Sequence, residues 1–298
     1  MNLETHLRAR REEGRKLLVP YVTGGLGSAW LDVVRAVADA GADAIEIGIP
    51  FSDPVMDGRI IQEASRRAIE IGATPAGIIA DVAKVDVGVP LVVMTYYNPV
   101  QHHGHERFAA ALTASGIDGA IVPDLPLDEL VGSPADDGVG AAVSPGDTPA
   151  PAVSPGDTPA PPVSPGDTPA PPGSWADAAD AAGVETVLLA ALTTPEDRLA
   201  AICARSRGFV YGVSLLGVTG ERAKLSDGAL EMGRRLKAAT DKPVLLGVGL
   251  STPEQAVEAT SVADGVIVGS ALVRRLLEGG GPEQAGALVA AFRRALDG

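Results

Sequence analysis

The stretch AIEIGIPFSDPVMDG, residues 44–58, carries three carboxylates, Glu46, Asp53 and Asp57. Ile45, Ile47 and Ile49 alternate as on a strand and share one face, so Ala44, Glu46 and Gly48 share the other. If that second face is the inside of a closed sheet, Glu46 is a carboxyl group in apolar surroundings. Desolvation there disfavours the charged form, raises the pKa and suits the group to proton exchange near neutral pH. A glutamate held in the core by structural hydrogen bonds is the competing reading. Asp57 precedes Gly58 and a helical pattern, so it either caps that helix or faces a site. Asp53, before Pro54, is either a turn residue or a surface group, and spacing alone does not separate these readings.

Three glycine-rich stretches offer a different chemistry: LLGVTGERA, GVGLSTPEQ and VGSALVRR. Glycine lets backbone N–H groups approach an anion closely, and a helix N-terminus adds a favourable dipole. Gly220, Gly249, Gly269 and Ser270 are the candidate phosphate holders. The net charge of −14 fits this mode of binding, because no basic patch is needed. The same charge argues against nucleic acid and anionic membrane as partners. His102, His103 and His105 in HHGH invite a metal reading. They lack the spacing on a regular element that a metal site uses, no cysteine is near, and a solvated loop comes first, so no metal is expected. Cys203, the single cysteine, sits in a helical pattern and reads as a small buried hydrophobe.

These residues need elements to hold them. Four β-rich runs precede residue 130, at 17–25, 42–51, 90–98 and 119–126, and four follow residue 184, at 185–192, 208–214, 242–249 and 264–270. Helical patterns separate them, and WLDVVRAVADAG, IIQEASRRAIEIG and HERFAAALTASG each end in a glycine suited to a C-cap. Alternation of this kind predicts an α/β protein, an eight-stranded (β/α)8 TIM barrel preceded by an extra N-terminal helix. An open doubly wound sheet is the alternative. In the barrel, the glycine-rich stretches and the acidic loop all fall at strand C-termini, where such barrels place their chemistry.

Between the two sets of strands a ten-residue unit, VSPGDTPAP with one further residue, is written three times over 143–172. Four parallel strands leave two raw edges whereas eight close, so neither half makes a domain alone. The whole chain, 1–298, therefore reads as one barrel domain interrupted by a low-complexity insertion at about 131–173. The proline content predicts polyproline II and turns there rather than packed structure. The insertion is either a ligand for a proline-recognising domain or an expansion tolerated on the surface. The helix after it starts at Ser174, with Asp177 at capping-box spacing. Hydrophobic residues make up 46% of the chain and no run is long enough to span a bilayer. The charged amphipathic N-terminus does not read as a signal peptide, and the cytoplasm is the expected address.

PYVTGG, EIGIPFSDPVMDG, YYNP, GVTG, LLGVGLSTPEQ and DGVIVGSALV, in this order, resemble the tryptophan synthase α subunit along nearly the whole chain outside 131–173. The resemblance implies a lyase that cleaves indole-3-glycerol phosphate to indole and glyceraldehyde 3-phosphate. It implies Glu46 as the acid/base and Asp57 as the carboxylate facing the indole nitrogen. Tyr211 matches a position near the acid/base, and Thr219 matches a lid residue. Tyr21, Ile61, Met94, Tyr96 and Ile121 match the walls of an indole pocket, or are simply core. A pyridoxal-phosphate β subunit is the implied partner, in an α2β2 assembly, with Asp53, Pro54, Asn98 and Pro126 matching contact positions and no cofactor on this chain. A stand-alone lyase releasing free indole would use the same residues. Arg59, where the family usually has proline, and Val248, where it often has phenylalanine, depart from the pattern.

Overall fold

The computed structural model describes residues 2–130, 173–213 and 225–298. Eight strands form one closed parallel barrel in sequence order: β1 Leu17–Thr23, β2 Ile45–Gly48, β3 Leu91–Met94, β4 Gly119–Ile121, β5 Glu185–Ala191, β6 Val210–Val213, β7 Val244–Gly247 and β8 Gly265–Val268. β1 pairs with β8 through Leu17 and Gly265, which closes the ring. The eight runs read from the sequence are these eight strands. Several are shorter than the runs; the third ends at Met94, and the tyrosines that follow lead into a helix instead.

Strand alternation sorts the core into two shells. Leu18 and Val22 of β1 join Ile45, Ile47 and Ile49 in the layer between sheet and helices. Leu17 and Val19 point inward with Ala44, Val92, Ile121, Val187, Phe209 and Leu245. Both faces of each strand are thus out of water, which is why the runs are almost continuously apolar rather than alternating.

The helices are α1 Leu3–Glu12, α2 Trp30–Asp39, α3 Arg59–Glu70, α4 Pro75–Val82, α5 Tyr97–His103, α6 His105–Ala114, α7 Leu127–Leu130, α8 Trp175–Ala182, α9 Glu196–Arg205, α10 Asp227–Ala239, α11 Pro253–Ala259, α12 Ser270–Leu277 and α13 Pro282–Asp297. Gly41, Gly72 and Gly116, just past α2, α3 and α6, all have positive φ, the backbone state that ends a helix cheaply only at glycine. Ser174 accepts the Asp177 N–H over 3.1 Å and starts α8. Cys203 is buried among the helix-facing core of α9. Arg59 occupies the first helical position with Gly58 as N-cap, so the missing proline does not move the helix start.

At the N-terminal end of the barrel, α1 inserts Leu3 and Leu7 into the inner shell, where both are fully buried. The same end carries a fourfold device. A side chain leading into each even strand accepts an N–H of the preceding odd strand: Leu18 to Asp43 at 2.8 Å, Leu91 to Asp118 at 3.1 Å, Leu188 to Ser206 at 3.0 Å and Val244 to Asp264 at 2.9 Å. Three of the four acceptors are carboxylates, and such charge-assisted bonds are the stronger kind.

The repeat at 143–172 lies outside the described residues. The chain reaches Leu130, which is buried, and is described again from Gly173. His105 is not the solvated loop residue read from the sequence: it is buried at the start of α6, with Nδ1 against the Gly173 carbonyl and Nε2 against the Tyr97 hydroxyl, both at 2.9 Å. The apolar pocket beside Trp175 and these two partners outweigh hydration. His102 and His103 stay exposed. Among the described residues no group of three or more His, Cys, Asp or Glu side chains could hold a metal ion.

Candidate active site

Glu46 sits in the middle of β2, paired with Tyr21 of β1 and Val92 of β3. It points inward, as the alternation requires, and is 1% exposed. Its Oε2 is buried and has no hydrogen-bond partner among the described residues. A glutamate retained for structure ordinarily has its oxygens satisfied, and among the described residues nothing satisfies this one. Two tyrosines flank it, Tyr21 from β1 and Tyr211 from β6. A Cβ built on Gly48 would collide with the Tyr21 hydroxyl, and one on Gly247 would collide with the Tyr211 ring. These glycines are seats: each lies next to its tyrosine's strand and leaves the space that the phenol fills.

Asp57 does not cap α3. The cap residue is Gly58, without a side-chain bond, and the Asp57 carboxylate turns away from the helix to accept the Tyr96 hydroxyl at Oδ2, 3.0 Å. Tyr96 in turn accepts the Met56 N–H at 3.0 Å and stacks on Phe51, ring centroids 4.8 Å apart. The loop after β2 and the loop after β3 are therefore joined at the carboxylate. Read from the sequence, Tyr96 is an apolar wall; here its oxygen is also the hydrogen-bond donor that aims Asp57.

Burial pushes the Glu46 carboxyl up to about 8, helped by the negative charge of Asp57. Burial raises Asp57 less, to about 6, because the Tyr96 bond favours its charged form. At neutral pH the pocket thus holds one carboxyl that keeps its proton and one that has lost it, a division that separates an acid from an anion acceptor. Burial, with both carboxylates, holds Tyr21 and Tyr211 well above the usual phenol range, so both stay protonated.

The other wall candidates gather on two sides. Tyr21 and Ile61 pack with Ala64 and Val273. Ile121 lies in the inner shell with Tyr211, and Met94, half-buried, touches both groups. Tyr21 also connects this apolar end to the candidate phosphate end, since a Cβ on Gly269 would lie 3.5 Å from Tyr21 Cβ. Gly269 is the N-cap of α12 and supplies no side chain to its first N–H groups, and Ser270 opens that helix, buried. Gly249 has φ +74°, a turn that only glycine makes cheaply. Val248 is buried in the outer shell rather than turned to the pocket. Thr219 and Gly220 lie outside the described residues.

Asp53, Asn98 and Pro126 are exposed and Pro54 is half-buried. Asp53 and Pro54 lie in the loop after β2, Asn98 in the first turn of α5 after β3 and Pro126 in the loop after β4; these strands are neighbours in the barrel, so all four share one end of it with Asp57. Sequence reasoning missed Gln62, whose Nε2 donates to the carbonyls of Asp57 at 2.9 Å and Pro54 at 3.3 Å. It also missed the seats Gly48 and Gly247. Neither has a signal in a single sequence, because the contacts cross between strands or reach back from a helix face.

The family profile described as Tryptophan synthase alpha chain matches residues 7–133 and 167–296. Among curated relatives, the tryptophan synthase alpha chain of Streptomyces coelicolor is 37% identical over 280 residues, 93% of this chain and 88% of its own length. That of Chloroflexus aurantiacus is 38% identical over 278 residues, 92% and 88%. Among solved structures, tryptophan synthase of Mycobacterium tuberculosis superposes with a TM-score of 0.78 at 33% identity, covering 99% of this chain and 97% of that one.

Proposed function

Because the chain belongs to the tryptophan synthase alpha chain family, we propose that Glu46 and Asp57 carry its reaction, the cleavage of indole-3-glycerol phosphate to indole and glyceraldehyde 3-phosphate in tryptophan biosynthesis. The difficulty in that reaction is the leaving group: indole cannot depart as a free carbanion at C3. The protonated Glu46 carboxyl donates to C3, and the ring nitrogen takes up the positive charge. Ionised Asp57 accepts that N–H and stabilises the charge as it develops. The Glu46 carboxylate then removes the proton of the hydroxyl on the carbon attached to C3. The carbon–carbon bond breaks, its electron pair returns to the ring, and Glu46 regains its proton.

The observation that supports this reading best is the pairing of a buried Glu46, whose Oε2 has no hydrogen-bond partner among the described residues, with an Asp57 that gives its Oδ2 to the Tyr96 hydroxyl instead of capping α3. Tyr211 bounds the acid/base; Tyr21, Ile61, Met94, Tyr96 and Ile121 enclose the indole. Gly220, Gly249, Gly269 and Ser270 hold the phosphate, and Thr219 belongs to the lid that excludes water.

As an α subunit the chain works with a tryptophan synthase β subunit, which we take to dock on Asp53, Pro54, Asn98 and Pro126 in an α2β2 assembly. Pyridoxal phosphate belongs to that subunit and this chain carries no cofactor. The chain is one barrel domain interrupted after β4, and its place is the cytoplasm; no described helix is long and apolar enough to cross a membrane. The test is indole release from indole-3-glycerol phosphate with β subunit titrated in. Rising turnover on titration supports the reading, and full turnover without the partner contradicts the partner-dependent part of it.

A further inference from the structure

We propose that Gln62 is a positioning residue that couples the partner-facing turn at Asp53 and Pro54 to the aim of the Asp57 carboxylate. The inference rests on the roles given above to Asp57 and to that turn. Both groups facing the Gln62 side chain are carbonyls, so the amide must present its NH2, and its two hydrogens suffice for the two bonds. One goes to Asp57 O at 2.9 Å and the other to Pro54 O at 3.3 Å. Pro54 O also accepts the Asp57 N–H at 3.0 Å. One side chain, anchored in the first turns of α3, therefore holds both ends of the turn between the contact residue and the carboxylate.

The far side of the same turn is held by Tyr96, which takes the Met56 N–H and gives its own proton to Asp57 Oδ2, each at 3.0 Å. The turn is thus fixed at its backbone by Gln62 and at its side chain by Tyr96. A shift of Pro54 relative to α3 moves the Asp57 backbone and with it the geometry of the bond between Asp57 Oδ2 and the Tyr96 hydroxyl. Gln62 is exposed and lines an open groove of about 460 Å³ with Phe51, Pro54, Val55 and Ile69. In the free chain water competes for both of its bonds. A partner seated over this groove, where Val55 is 72% exposed, removes that competition and strengthens the bridge. Docking then holds Asp57 in line without any partner atom entering the pocket.

The test uses the full chain with its β subunit and the variant Gln62→Met, which keeps the reach and removes both donors. Expected is a KM for indole-3-glycerol phosphate within about threefold of the parent, because Gln62 is given no contact with the substrate; the Kd for β should rise by no more than the activation falls, because Gln62 lines the groove that the partner covers and bridge and docking strengthen each other. The activation of cleavage by β should fall about tenfold or more, and the acid limb of the kcat profile should move to higher pH as Asp57 loses its aligned donor. Gln62→Lys, whose ammonium can give to both carbonyls, should recover part of the activation. A variant that is activated like the parent, with an unchanged pH profile, overturns the inference alone. Parallel losses in kcat, affinity and melting temperature also overturn it, since they mean that Gln62 merely supports α3. A parent chain that cleaves nothing with β present overturns the functional reading, and this inference with it.

Discussion

The Tyr96 hydroxyl gives its proton to Asp57 Oδ2 over 3.0 Å while receiving the Met56 N–H at the same distance. This chain of two bonds decides the chemistry of the second carboxylate. It holds the Asp57 side chain in a bond other than the α3 cap, where an aspartate before a helix ordinarily settles, with its charge near enough to Glu46 to raise that carboxyl.

Tyr96→Phe should therefore act through Asp57. A hydrogen bond to the charged form lowers a carboxylate's pKa, so its removal raises Asp57 above the present value of about 6. The acid limb of kcat, which requires ionised Asp57, moves to higher pH. Bonds to charged groups contribute about 1.5–3 kcal/mol, which raises the Asp57 pKa by roughly one to two units, so the ionised fraction at pH 7, and kcat with it, should drop roughly 2- to 15-fold. Steady-state indole release measured from pH 5 to 8 checks both effects; an unmoved acid limb would separate Tyr96 from the Asp57 titration.

Glu46→Gln should abolish indole release while the fold persists. It also has a stability signature. The folded-state pKa, about 8, lies above the ordinary 4.5, so the native state holds a proton that the unfolded chain has lost between those values. Stability linked to this group is fully present below about pH 4.5 and is lost as pH rises through 8. The swing is on the order of 3–5 kcal/mol for a fully buried group. Urea unfolding at intervals from pH 5 to 8 should show the parent weakening with pH and the variant much less so. Equal slopes in the two proteins would mean that Glu46 is not desolvated as described.

Most of this architecture was open to inspection in the sequence, for a reason visible at β2. Ile45, Ile47 and Ile49 against Ala44, Glu46 and Gly48 form a period-two pattern that assigns faces without any tertiary knowledge, and the structure has Ile47 outside and Glu46 inside. The glycines at 41, 72 and 116 mark helix ends by a local conformational demand. What escaped depends on partners distant in the chain. α5 begins where the strand-like TYYN run was read, because the Asp124 carboxylate takes the Tyr97 N–H at 2.9 Å. His105 is buried because Gly173 comes back to meet it. The direction of Asp57 was undetermined until Tyr96 lay beside it. Local periodicity fixes faces; contacts between loops fix where side chains point.

Gly48→Ala tests whether the glycine seats matter. The added methyl overlaps the Tyr21 hydroxyl, so the phenol must leave its place between Glu46 and Gly269. Overpacking of this kind costs about 1–3 kcal/mol. Because the displaced ring bounds both the acid/base and the phosphate end, KM should rise and kcat fall together. Adding Tyr21→Leu, which removes the colliding atoms, should recover stability relative to Gly48→Ala alone. A double-mutant cycle by urea unfolding reads the coupling, expected at about 1 kcal/mol or more for touching residues. Additive effects would show that the ring and the glycine do not meet.

The repeat offers the last test, because the family profile breaks off before it and resumes within its third unit. It matches 7–133 and then 167–296, leaving 134–166 outside the match, while the barrel closes with four strands from each side. The anchors at the two edges lie outside that stretch. Leu130 is buried in the outer shell, the Gly173 carbonyl is bound to His105, and Ser174 starts α8 with its own cap. Joining residue 133 to 167 leaves all three in place, and shortening a connection changes closure entropy by only about 0.6 kcal/mol per halving. The shortened chain should therefore melt within a few degrees of the parent and cleave indole-3-glycerol phosphate at the parental rate without β. Because this connection follows β4 at the end of the barrel that carries Pro126, the affinity for β is the quantity free to change. Titration of β against both chains measures it, while a collapse of melting temperature on deletion would show that residues 134–166 contribute to the packed fold.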